Sequence, residues 1–302
     1  MIREVMKMDY LILIISMFAC LAGNIIRKYE GDKFVNKSVM YQLYNAVMSI
    51  AAVAGLMILG GIPQISGFTL WLGIMFGVVT AIQQIFMIKA YVQGPFSYTV
   101  VIVTLSSVIP ALSGYFFWGE EIVLVQIIGI VFMIASFLCF IDFSGSEKKS
   151  NMLWFLYAFI SFICTGIVGV TQKYQQNTPF KAELDGFLVV AFGASFVYSV
   201  ICALLSAMKQ PKEERASVKS EITPIVVLLM CIAGFCAAAN NKMNIYLSGV
   251  LDSAMFFPTV NGVGLILSTV AALVLFKEKI LPIKWVGMVL GLIAVILLCN
   301  PF

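Results

Sequence analysis

The sequence predicts an all-α polytopic membrane protein with ten transmembrane helices, arranged as two inverted five-helix repeats. Three observations predict this. The 302 residues are 61% hydrophobic and 11% charged, with a mean hydropathy of +1.01, more apolar than any soluble domain of this size requires. The apolar residues fall into ten runs of about 18–25 residues, the length that crosses a hydrocarbon core of roughly 30 Å. Finally, two stretches 158 residues apart read as copies of one another. Phe117-Trp118-Gly119-Glu120-Glu121-Ile122 leads into one apolar run and Leu275-Phe276-Lys277-Glu278-Lys279-Ile280 into another, with Gly129 and Gly287 matched further on. Upstream, Ala90-Tyr91-Val92-Gln93-Gly94 resembles Ile245-Tyr246-Leu247-Ser248-Gly249 at an offset of 155.

The spans follow in order as 9–29, 38–60, 68–91, 96–118, 121–142, 151–173, 184–208, 222–247, 250–276 and 281–300. The first is flanked by Arg3 and Lys7 and carries the polar Asn24. Its length and the lack of a small-x-small site favour a retained span over a signal peptide. Span two carries Gln42 and Asn45, and span three Gln83 and Gln84. Span four opens on Gly94-Pro95 and Ser97-Tyr98-Thr99 and is interrupted by Pro110, which removes a backbone donor. Span five follows the first copy of the Glu-containing motif. The segment 144–150 then links residues 1–143, the first repeat, to residues 151–302, the second. Span six carries Gln172. Span seven precedes the longest polar loop, 209–221. Span eight carries Asn240-Asn241-Lys242 and Asn244, and span nine Pro258 and Asn261. Span ten follows the second copy of the motif. Five spans is an odd number, so the second half enters the membrane from the opposite side.

These features resemble the drug/metabolite transporter superfamily, in particular its ten-span EamA-type metabolite-exporter branch. The resemblance covers essentially the whole chain. It rests on Lys89-Ala90-Tyr91-Val92-Gln93-Gly94-Pro95, on Ser107-Val108-Ile109-Pro110-Ala111-Leu112, and on Glu120 or Glu278 followed nine residues later by Gly129 or Gly287. It implies a carrier for small metabolites, commonly amino acids or related compounds, with a central cavity bounded by both halves.

The candidate substrate-binding residues are Asn24, Gln42, Asn45, Gln83, Gln84, Tyr98, Gln172, Asn240, Asn241, Lys242, Asn244 and Asn261. Amides in hydrocarbon are costly unless they face protein or a water-filled cavity. Interhelical hydrogen bonding is the competing reading for each, and snorkelling to the interface competes for Lys242 and Lys89. Three amides and an ammonium between Asn240 and Asn244 exceed what packing usually requires. Pro110 and Pro258 are the candidate gating positions. Glu120 and Glu278 are read first as helix N-terminal acids. The carboxylates, Asp9, Glu30, Asp185 and Asp252 among them, are placed at span ends or in loops, which disfavours proton exchange through a mid-span acid.

The chain has no His, which excludes His-ligated metal sites, Ser-His-Asp triads and His proton relays. Its seven Cys include no CxxC pair and read as packing residues. No cofactor and no metal is expected, nor an enzyme: no catalytic groups cluster at one depth. The net charge of +4 comes from loops and bears on orientation, with no nucleic-acid partner implied. The loops after the odd-numbered spans hold 14 Lys and Arg and the opposite side 5, which puts both termini outside. The resulting expectation is a bacterial plasma-membrane transporter that moves a small polar metabolite by alternating access. Its partners are the solute and the lipid bilayer, with monomer and homodimer both open. A proton-coupled multidrug exporter of cationic compounds is the alternative.

Overall fold

The computed structural model describes residues 2–33, 38–61, 63–110, 113, 117, 124–140, 148–209, 222–250, 253–277 and 280–298. For residues 2–10, 253–259, 261 and 262, among others, it describes the backbone alone. Among the described residues the regular structure is all helical. In chain order the helices are α1 (Ile2–Lys33), α2 (Ser38–Gly60), α3 (Gly67–Gln93), α4 (Phe96–Thr104), α5 (Leu124–Phe140), α6 (Lys148–Gln176), α7 (Leu184–Lys209), α8 (Pro224–Val250), α9 (Ser253–Val274) and α10 (Pro282–Leu298). Six of them, α1 to α3 and α6 to α8, are long and apolar enough to cross a membrane. The other four are shorter apolar helices. At about 1.5 Å per residue, the 27 residues of α3 reach roughly 40 Å.

Large apolar side chains also cover the outside. Phe18, Ile58, Trp71, Leu124, Leu204 and Val274, from six different helices, are each more than half exposed. A soluble monomer does not display so many large apolar side chains on its surface. The surface is that of a membrane-embedded protein.

Local chemistry sets the helix ends. Ser66 caps α3: its Oγ accepts from Thr69 N at 3.2 Å, while Ser66 N donates to Glu183 Oε2 at 2.8 Å. Two residues, Gly94 and Pro95, join α3 to α4. Thr99 N and Oγ1 both donate to Pro95 O, and Trp154 Nε1 of α6 donates to Thr99 Oγ1 at 2.8 Å. After Thr104 the backbone tightens into a 3-10 turn, Leu105–Ser107. Pro110 lies just beyond it and cannot donate to the carbonyl of Ser106. Helix resumes at 108–110, and the described positions 113 and 117 beyond it are helical too. Glu120, Glu278, Asp252 and most of the 144–150 linker lie outside the described residues.

The helices pack in recurring pairs. Helix α1 lies on α8, and α6 on α3; α3 lies on α7, and α8 on α2. The pairs α2–α7, α4–α9 and α5–α10 also meet, as do α1–α9 and α6–α4. Two glycines permit close approaches between helix backbones. A Cβ on Gly77 of α3 would sit 2.1 Å from Ala191 O of α7. One on Gly234 of α8 would sit 2.2 Å from Met48 O of α2. The core has two main parts. One joins α2, α3, α7 and α8 around Met40, Tyr44, Phe187 and Met230. The other joins α4, α6, α9 and α10 around Phe96, Ile102 and Trp154.

Candidate functional site

A cavity of about 250 Å³ opens among α1, α3, α4, α6, α8 and α9. Helix α1 contributes Gly23, Asn24 and Arg27, and α3 contributes Thr80, Gln83 and Gln84. Helix α8 contributes Asn240, Asn241 and Asn244, and α6 contributes Thr165. A second chamber of about 200 Å³ adds Pro110, Gly169 and Gln172 and shares Asn240, Asn241 and Asn244 with the first. Of the residues singled out from sequence, Asn24, Gln83, Gln84, Gln172, Asn240, Asn241, Asn244 and Pro110 thus line two chambers that share a wall.

The lining is hydrogen-bonded into two ladders. On one side, Ser16 Oγ of α1 donates to Asn244 Oδ1 at 2.6 Å. Asn240 Nδ2 reaches Ser16 O at 3.0 Å, and Gln172 Nε2 of α6 donates to Asn241 Oδ1 at 3.0 Å. On the other, Ser161 Oγ of α6 donates to Gln83 O at 3.4 Å, and Gln83 Nε2 lies 3.5 Å from Ser161 Oγ and 3.2 Å from Met87 Sδ. Arg27 Nη1 donates to Asn24 Oδ1 at 2.7 Å. Three polar atoms near this second ladder are buried without a partner: Arg27 Nε, Gln84 Oε1 and Thr80 Oγ1.

Four of the sequence candidates lie elsewhere. Asn45 Nδ2 donates to Ser199 Oγ at 2.6 Å in the α2–α7 interface, beside a 2.9 Å contact between Ser49 and Ser195. Gln42 is buried in α2 outside both chambers. Tyr98 meets the edge of Trp154 and lies under Lys284 Nζ. Lys242 Nζ pairs with Asp185 Oδ1 at 2.7 Å, with both side chains more than a third exposed. Successive helical residues turn by about 100°, so a residue two positions past Asn240 points to the opposite face. Lys89 sits over the rings of Phe86 and Tyr157. Tyr41 and Tyr44 belong to the apolar core. The side chains of Asn261 and Pro258 lie outside the described residues, although both are within α9.

Arg27 falls within the end of the span 9–29 and counts, by sequence, among the charges on the side of the loop that follows. Helix α1 instead continues to Lys33, and Arg27 is only 7% exposed inside the bundle. Glu30, assigned to a span end, is fully buried. Lys284 is also buried, and removing it and Arg27 from the charge count leaves the sign of the bias unchanged. A signal in the sequence does mark Arg27. Ser16, Lys28 and Tyr29 recur as Ser161, Lys173 and Tyr174, each 145 residues on, which aligns Arg27 with Gln172. Gly77, Gln83 and Gln84 stand 157 residues before Gly234, Asn240 and Asn241. The change of offset falls across the polar loop between α7 and α8.

No protein-family model matches the chain, and no curated protein matches it. Among solved structures it is similar to one described only as "Crystal structure of protein", at 14% identity and a TM-score of 0.59, covering 95% of this chain and 96% of that one. At that identity the likeness shows a shared fold and nothing about activity.

Proposed function

We propose that this protein is a ten-span membrane transporter of the drug/metabolite transporter type, moving a small polar metabolite by alternating access between two inverted five-helix repeats. The substrate class is an amino acid or a related compound. The observation that carries the reading is the cavity, lined by amides from α3 of one half and α8 of the other at a constant spacing of 157 residues. Exchanging each helix with the one five places on leaves the principal packing pairs unchanged: α1–α8 becomes α6–α3, and α3–α7 becomes α8–α2. The close approaches at Gly77 and Gly234 exchange in the same way. So do the bonds of Ser16 with Asn240 and of Ser161 with Gln83. Such a relation supports two interchangeable conformations, each half adopting in turn the shape of the other. A plasma-membrane location, with the more basic side in the cytoplasm, belongs to the same reading.

Proton-coupled export of cationic drugs gains little from the cavity, since no carboxylate lines either chamber among the described residues. The test is counterflow in proteoliposomes preloaded with pooled amino acids. Saturable uptake of a labelled member of the pool, lost when Asn240→Ala and Asn241→Ala are combined, is expected. Uptake no faster than in protein-free vesicles, for amino acids and related polar metabolites alike, would remove the carrier reading.

A further inference from the structure

We propose that Arg27 anchors the carboxylate of a small monoanionic or zwitterionic solute in the cavity; this deepens the carrier reading and rests on it. Arg27 lines the cavity, is 7% exposed, and uses its fork on weak partners. Nη1 meets the neutral amide of Asn24, Nη2 lies 3.9 Å from Met48 Sδ, and Nε has no partner. Among the described residues no carboxylate comes within ion-pair distance of it. Glu30, three residues further along α1, is also fully buried but does not line the cavity; an incoming anion that bonds the guanidinium directly recovers part of the cost of removing it from water.

The comparison of the two halves sharpens the point. In the second half Gln172 Nε2 donates to Asn241 Oδ1 at 3.0 Å, and the amide pair is satisfied. The corresponding positions of the first half are Arg27 and Gln84, at the same 145- and 157-residue spacings. There Gln84 Oε1 and Arg27 Nε are both left open. The symmetric lining thus has one charged, unsatisfied exception, and the exception is a carboxylate-shaped one. Guanidinium presents paired donors that match two carboxylate oxygens. The lining holds one cation and no acid among the described residues, which favours a solute carrying no more than one negative charge. A doubly charged phosphate would bring an uncompensated charge into a buried site. The open Gln84 and Thr80 oxygens offer acceptors to an ammonium or hydroxyl on the same solute.

The experiment is a thermal-shift titration of the full-length protein in detergent. The probes are the common L-amino acids and short hydroxy acids, their carboxamide counterparts, inorganic phosphate and tetraphenylphosphonium. At least one carboxylate is expected to stabilise the wild type while its carboxamide does not. Arg27→Gln places in the first half the residue that the second half already uses. It is expected to keep or raise the melting temperature without ligand and to weaken carboxylate binding at least about tenfold. Arg27→Lys keeps the charge without the fork and is expected to retain the preference for acid over amide at reduced affinity. It also serves if the Gln variant fails to fold. The proposal is overturned if no carboxylate stabilises the wild type, if acids and amides bind equally, if phosphate or tetraphenylphosphonium alone binds, or if a folded variant binds as the wild type does. Arg27-dependent carboxylate binding without counterflow would sink the carrier reading and leave this inference standing. Counterflow of an uncharged solute, unchanged in Arg27→Gln, would do the reverse.

Discussion

Replacing Gly77 or Gly234 with Ala tests whether helix backbones cross where the two halves are matched. A methyl group at Gly77 would meet Ala191 O at 2.1 Å and one at Gly234 would meet Met48 O at 2.2 Å. Ordinary contact begins near 3.4 Å, so each helix pair must separate by more than an ångström. The obstructing atom is a helical carbonyl, which cannot rotate away as a side chain can. Overpacking of this kind costs about 1–3 kcal/mol, and the upper end applies to rigid backbone. Ala recovers about 1 kcal/mol through helix propensity, leaving a net loss of roughly 2 kcal/mol. At ~2–4 °C per kcal/mol this is a fall of roughly 4–8 °C in the melting temperature. Gly193 and Gly264 have nothing within 4 Å of the equivalent position and serve as controls. Gly193→Ala and Gly264→Ala are expected to melt at or above the wild type. Fluorescence-detected size exclusion after heating reads all four. If Gly77→Ala and Gly234→Ala melt with the controls, the close approaches are wrong. If only one of them is destabilised, the matching of the halves fails.

Other substitutions separate packing from binding. Asn45→Ala removes the buried donor shared by Ser195 and Ser199 and is expected to lower stability by about 1–3 kcal/mol without changing ligand affinity, read by melting with and without a stabilising solute. The Lys242–Asp185 pair lies at the first turn of α7 with both side chains more than a third exposed; at a water-facing helix end, a double-mutant cycle with Ala at each position should give a coupling below about 1 kcal/mol. Counterflow by Lys242→Ala should match the wild type; a collapse there would return Lys242 to the binding site. Ser16→Ala removes the Oγ bonds to Asn244 and Asn240 while leaving the bond from Asn240 to Ser16 O, and should weaken solute binding more than it lowers the melting temperature, measured in one titration series.

The helices were legible because hydropathy reports length and burial in lipid directly. Six of the apolar runs are helices long and apolar enough to cross a membrane and four more hold shorter apolar helices, and in span four a 3-10 turn at Leu105–Ser107 interrupts the α-helix. Which amides face the cavity was only partly legible. Asn45 and Asn240 are the same residue type within apolar helices, and nothing local separates one that binds a neighbouring helix from one that lines a space. Lys242 was grouped with its neighbours by proximity in sequence, whereas helical rotation carries it to the other face. Arg27 was hidden for a different reason. A charge near the end of an apolar run reads as an orientation signal at the membrane edge, yet α1 continues past it and buries it among neighbouring helices. Only the 145-residue spacing of Ser16, Lys28 and Tyr29 from their counterparts points to it, and that spacing differs from the later offsets because of the α7–α8 loop.

The most direct test of alternating access needs no known substrate. In a variant lacking the seven native Cys, a single Cys at Asn240, within the cavity, is exposed to a membrane-impermeant thiol reagent from one face of the membrane and then, in a separate sample, from the other. Reaction approaching completion from either face is the predicted result, because one cavity would open to both sides in turn. Reaction from one face only, however long the exposure, would mean a pocket that never crosses the membrane, and would contradict the account.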